Sequence, residues 1–202
     1  EYISEAVTFN FEGKNFSEAE KLCKKLIELN DKFIFAYINL AEIYVKQKRF
    51  SEALENIDKI LELDINTPEA YIIKAKIYRE NKLYDQAIEF VKQAITLSPD
   101  SNEYYEMVAD IYFEDKKFKD ACKFYKEAAQ FDVTSEKLRY RAAKCEHILG
   151  ELHEAISDYS IARRLKPQDI DLAIDYCNCL CDVEDYKTAL DVLKKSLDYA
   201  SD

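Results

Sequence analysis

The chain has 202 residues, 48% of them hydrophobic, with two glycines, three prolines and a net charge of −11. That composition supports an ordered core and leaves no room for a flexible linker or low-complexity tract. The acid excess argues against a nucleic-acid groove, which needs clustered Lys and Arg to displace counterions. No run reaches the ~18 apolar residues of a membrane helix, and nothing resembles a secretion signal.

Alanine recurs at one spacing of 34 residues: Ala19, Ala53, Ala87, Ala121, Ala155 and Ala189. In chain order the first unit, Glu1–Lys32, sets the frame with Val7, Phe16, Ala19 and Leu26. The second, Phe33–Thr67, repeats it as Ala41, Phe50, Ala53 and Ile60 and adds Tyr44. Pro68–Ser101 carries Ala75, Tyr78, Tyr84, Ala87 and Ala94, and Asn102–Ser135 carries Ala109, Tyr112, Phe118, Ala121 and Ala128. Glu136–Asp169 keeps Ala143, Leu152, Ala155 and Ala162 but has Arg139 and Glu146 where earlier units have aromatics. The last, Ile170–Asp202, reads Cys177, Tyr186, Ala189 and Ser196. Pro68, Pro99 and Pro167 fall at or beside boundaries, where a helix stops or starts.

Each unit reads as two helices. In the third, Tyr71, Lys74, Ala75 and Tyr78 recur at three- and four-residue steps. Ala87, Ile88, Val91, Ala94 and Ile95 do so again after a polar turn at Asn81 to Leu83. Nothing alternates with period two over a useful length, so a sheet is not expected. The small residues let two helices approach closely, and the larger ones fill the space between successive pairs. A unit of this length cannot bury its apolar face alone and must stack on its neighbours.

Candidate chemistry is sparse. Cys177, Cys179 and Cys181 form a cluster, but a zinc site needs four converging ligands. On a helix Cys179 lies about 200° around from Cys177. Cys177 and Cys179 also occupy core positions of the repeat, which suits small buried side chains. Cys145 and His147 resemble a thiol and base, but two residues apart on a helix they face away from each other. No catalytic site, metal or cofactor is implied, and the chain reads as no enzyme. Six cysteines without a disulfide framework suit the reducing cytosol.

The 34-residue pattern resembles the tetratricopeptide repeat (TPR) and covers essentially the whole chain. Departures are the missing tryptophan, the changes at Arg139 and Glu146, and Lys14, Lys48, Lys82 and Lys116 at a turn where the family often has glycine. The resemblance implies an all-α solenoid, a right-handed superhelix of six helix-turn-helix repeats in a single domain over residues 1–202. It also implies that first helices line a concave face that holds a peptide segment or helix of a partner protein.

Carried onto that face, Phe35, Ile38, Val45, Ile72, Ile73 and Met107 are expected to form an apolar patch, with Asn39 inside it. Lys137, Arg141 and Lys144 form a basic stripe beside Tyr140. It lies between Glu103, Asp110 and Glu114 on one side and Asp171, Asp175 and Asp182 on the other, and either pairs with them or anchors a partner's carboxylate. Together with Lys76, these are the expected partner-binding residues. Relatives that clamp a chaperone's C-terminal carboxylate use lysine and asparagine at positions that here fall on Ile72, Lys76 and Met107. That clamp is incomplete, and chaperone-tail binding is not expected.

Leu190, Leu197 and Tyr199 sit where earlier units meet a following helix, so a fragment of a longer protein is expected. The same residues allow self-association through the terminal helices. The alternatives to a peptide-binding scaffold are the interaction arm of a larger multidomain enzyme or co-chaperone, and a self-associating structural subunit.

Overall fold

In the computed structural model the backbone is described for residues 2–200 and the side chains for residues 2–197. Those residues form twelve helices and no strand. In chain order they are α1 (Tyr2–Glu12), α2 (Phe16–Leu29), α3 (Ile34–Lys46), α4 (Phe50–Leu63), α5 (Pro68–Glu80) and α6 (Tyr84–Leu97). They continue as α7 (Asn102–Glu114), α8 (Phe118–Phe131), α9 (Glu136–Leu149), α10 (Leu152–Leu165), α11 (Ile170–Asp182) and α12 (Tyr186–Ala200). The expected helix-turn-helix repeats are therefore present, two helices to each. The chain divides into two compact units, Glu1–Pro99 and Asp100–Asp202, three repeats in each.

The turn between the two helices of every repeat is closed the same way. The residue after the first helix's cap has a left-handed backbone: Lys14, Lys48, Lys82 and Lys116 at φ 57–60°, Gly150 at 78° and Glu184 at 61°. Around it run the two hydrogen bonds of a Schellman motif. In the first repeat the Lys14 N–H donates to Phe11 C=O at 3.0 Å and the Asn15 N–H donates to Asn10 C=O at 2.8 Å. The longer-range bond recurs as Arg49 to Tyr44, Leu83 to Tyr78, Lys117 to Tyr112, Glu151 to Glu146 and Asp185 to Leu180. These bonds satisfy carbonyls that a helix end leaves without an intrahelical partner.

The periodic small residues are the core. All six repeat alanines, Ala19 through Ala189, are buried, as are Val7, Ala41, Ala75, Ala109, Ala143 and Cys177 twelve positions earlier. In the first unit they join Cys23, Ile43, Ile57 and Ile60 in one cluster, with Phe16, Ile27 and Phe50 packed on it. The second unit has a cluster around Ala109, Tyr125 and Cys145 and another around Tyr159, Tyr176 and Cys179. Cys177 and Cys179 are thus small core side chains, and burial pushes the Cys179 thiol up to about 11. Cys181, by contrast, is exposed.

The fifth repeat departs from the others in its chemistry. The third packs Tyr78 on Phe90 with ring centroids 5.0 Å apart, and the fourth packs Tyr112 on Phe124 at 5.5 Å. The corresponding residues of the fifth are two acids, Glu146 and Asp158, both buried. Lys126 pairs with Glu146 and lies 3.9 Å from Asp158, and Arg139 pairs with Asp158 at 3.1 Å. Burial outweighs the lysine's pull and raises the Glu146 carboxyl above the usual range. Its Oε2 has no hydrogen-bond partner.

Candidate partner-binding surface

In the first unit the expected residues lie on α3 and α5. Among the thirteen residues of α3, IFAYINLAEIYVK, only Asn39, Glu42 and Lys46 carry strongly polar side chains. A helix that apolar cannot place all its hydrophobic residues inward. Ala36, Leu40, Ala41, Ile43 and Tyr44 take the buried positions, while Phe35, Ile38 and Val45 remain half-buried and pack from outside. Asn39 Nδ2 donates to Phe35 C=O at 2.8 Å, which leaves its amide oxygen to accept. Lys76 on α5 pairs with Glu42 on α3 at 2.7 Å.

Ile72 and Ile73 correct the expected patch. They are 8% and 1% exposed, so neither presents an open surface. Ile73 belongs to the first unit's core cluster. One turn position on a first helix separates a residue that faces outward from one that wedges against its neighbour, and residue type alone does not reveal which.

In the second unit Met107 on α7 is half-buried. The basic stripe on α9 is paired throughout with carboxylates of the helices on either side. Lys137 reaches Glu106 of α7 at 2.5 Å, and Arg141 pairs with Asp110 and lies 3.5 Å from Glu106. On the other side Tyr140 donates to Asp175 of α11 at 2.6 Å and Lys144 pairs with the same carboxylate at 2.9 Å. His147 is 2.7 Å from Asp182. Burial and the Asp175 charge together push the Tyr140 hydroxyl well above its ordinary range. Of the two outcomes open in the sequence, the stripe pairs within the chain.

The partners stand 31 residues apart where a cation reaches Glu106, Asp110 or Asp175, and 35 apart for Tyr140–Asp175 and His147–Asp182. Those separations are one period less three and one period plus one, and a search for opposite charges at them would have found the ladder. Ile148 and Ile174 are the apolar side chains left most open beside it, at 53% and 46% exposure. Among the described residues no cluster of His, Cys, Asp and Glu is placed to hold a metal ion. No helix there is long and apolar enough to cross a membrane.

The model of the family described as anaphase-promoting complex, cyclosome, subunit 3, which is of tetratricopeptide type, matches residues 12–94 and again residues 80–162. The chain belongs to this tetratricopeptide-repeat family. The two matches are offset by 68 residues, two full TPR periods. No protein of curated function matches in sequence. Among solved structures, PilF of Pseudomonas aeruginosa superimposes with a TM-score of 0.80 at 16% identity, over 99% of this chain and 96% of that one. YrrB, described as a TPR protein with an unusual peptide-binding site, gives 0.70 at 23% identity over 89% and 93%. MamA gives 0.72 at 21% over 83% and 92%. At these identities the likeness is one of fold, and the TPR fold is what they share.

Proposed function

We propose that this TPR protein is a non-enzymatic interaction scaffold that holds a peptide segment or helix of a partner protein against its first helices. The observation that carries the reading is α3, whose Phe35, Ile38 and Val45 stay at the surface of a helix that is apolar nearly all round. Apolar surface of this kind, rimmed by polar groups, is a feature of binding faces. Asn39 and Lys76 lie beside it to orient a backbone or an acidic group, with Met107 contributing on the second unit's own surface. There Tyr140 and the paired Lys137, Arg141 and Lys144 give a polar, preorganised rim. YrrB's peptide-binding site is a precedent within the fold. Six unpaired thiols, five of them buried, favour a reducing compartment, and we place the protein in the cytosol.

The test is selection of peptides from a random display library on the 202-residue protein, followed by affinity measurement. A selected peptide should lose about tenfold or more in affinity against Phe35→Ala combined with Ile38→Ser, a change of about 1.4 kcal/mol. Helicity should be unchanged. A selection that yields no binder, or a binder indifferent to both substitutions, overturns the assignment.

A further inference from the structure

Every junction between successive repeats within a unit uses the same two sets of positions. On the leading side they are a second helix's residues, in α10 Leu152, Ile156 and Tyr159. On the following side they are a first helix's residues, in α11 Leu172 and Cys179. Tyr159 is buried under Tyr176 of α11, with ring centroids 5.9 Å apart. Cys179 is fully buried with its Sγ 3.8 Å from Leu152 C=O, and Leu172 is 1% exposed.

Moving each set by the 34-residue period locates its open counterparts. The leading set falls on Tyr186, Leu190 and Leu193 of α12, which are 58%, 57% and 40% exposed. The counterparts of Leu193 in the other repeats, Cys23, Ile57, Val91, Tyr125 and Tyr159, are all buried. The following set falls on Tyr2 and Phe9 of α1, at 88% and 77% exposure. The counterparts of Phe9, which are Ile43, Ile77, Ile111, Cys145 and Cys179, are likewise all buried. One chain therefore displays both halves of its own junction, each apolar and each facing solvent.

We propose that a second copy of this chain docks head to tail, with α1 of one molecule seated on α12 of the next as α11 seats on α10. This surface is separate from the first-helix surface of the proposed function, and neither depends on the other. Charge permits the match. In the internal junction Asp175 meets Tyr140 and Lys144, and Asp182 meets His147. The same positions across the new junction set Glu5 against Ile174 and Asn178, and Glu12 against Cys181, so no carboxylate faces a carboxylate there. The contact is heterologous: the two faces differ, and nothing in it closes a ring after one step. Because each molecule carries net charge −11, association strengthens with salt as repulsion is screened.

Sedimentation velocity of the 202-residue protein from micromolar to millimolar concentration tests this. The expected result is an average mass that grows past the dimer without a plateau. Leu193→Glu and Phe9→Glu should each raise the dissociation constant about 30-fold or more, as loss of a central contact does. Both sites are exposed, so helicity should be retained; Leu190→Ser and Tyr2→Ser are milder variants expected to shift in the same direction. Mixed in equal amounts, the Leu193→Glu and Phe9→Glu proteins each keep one intact face and should form a dimer and nothing larger. A wild-type protein that stays monomeric throughout overturns the proposal. So does a mass that stops at the dimer while Phe9→Glu still pairs, because that is isologous contact between α12 faces.

Discussion

Lys14, Lys48, Lys82, Lys116 and Glu184 hold backbone angles that a β-carbon disfavours, and only Gly150 meets the same turn without that cost. Left-handed backbone costs a residue with a side chain about 1–2 kcal/mol, while glycine gives back about 0.4–1 kcal/mol through the unfolded chain. Lys82→Gly should therefore stabilise the protein by about 0.5–1 kcal/mol, read from the midpoint of urea unfolding. The opposite is expected where the repeat is tightest. Ala87 is fully buried, and Ala87→Leu should cost about 1–3 kcal/mol by overpacking, visible as a lowered melting temperature. The alanine period made that site legible from sequence because nothing larger fits where two helix backbones cross. The exposure of Ile72 and Ile73 was not legible: both suit a surface patch or a seam, and the neighbouring helices decide.

At the scale of helices, the fifth repeat replaces an aromatic pair with a charged quartet of Lys126, Arg139, Glu146 and Asp158. The loss of aromatics at Arg139 and Glu146 is visible in the sequence. That the two changes share a compensating network with Lys126 and Asp158 is not, because it depends on how α8, α9 and α10 meet. Removing one partner with Glu146→Ala should destabilise by about 3 kcal/mol or more, since the remaining charges lose their neutraliser. Converting Arg139, Glu146 and Asp158 together to Tyr, Tyr and Phe, the residues of the fourth repeat, should be neutral or stabilising by about 1–4 kcal/mol.

The quartet also sets a pH dependence. Burial raises the Glu146 carboxyl in the folded state, so folding favours its protonated form. Its contribution is present at acid pH, below the ordinary glutamate range, and is lost as pH rises through the folded value. Glu146→Gln should remove that loss, so the variant's melting temperature gains on the wild type between pH 4 and pH 8. A constant difference across that range would show that Glu146 does not titrate differently in the folded protein.

For the molecule as a whole, six near-identical units suggest that stability is the sum of local terms between neighbours. The second unit spans three repeats, the number such arrays need to bury a continuous core. Residues 100–202 alone should be helical by circular dichroism and unfold cooperatively. A non-cooperative, sloping transition would show that the unit borrows stability from elsewhere in the chain. Repeat count and fold class could be read from the sequence because periodicity is a property of the whole chain. The state of the basic stripe could not, since it turns on which of several nearby carboxylates each cation reaches.

That stripe has a consequence for how such a chain can change over generations. The backbone is periodic, but the polar seam is not: α9 offers cations to both sides, and α7 and α11 answer with acids. A tandem duplication of the fifth repeat would bring Lys137, Arg141 and Lys144 face to face with their own copies. Shuffling the fourth or sixth repeat beside the other would do the same with carboxylates. Geometry would tolerate any order of these modules, and electrostatics writes one order into them.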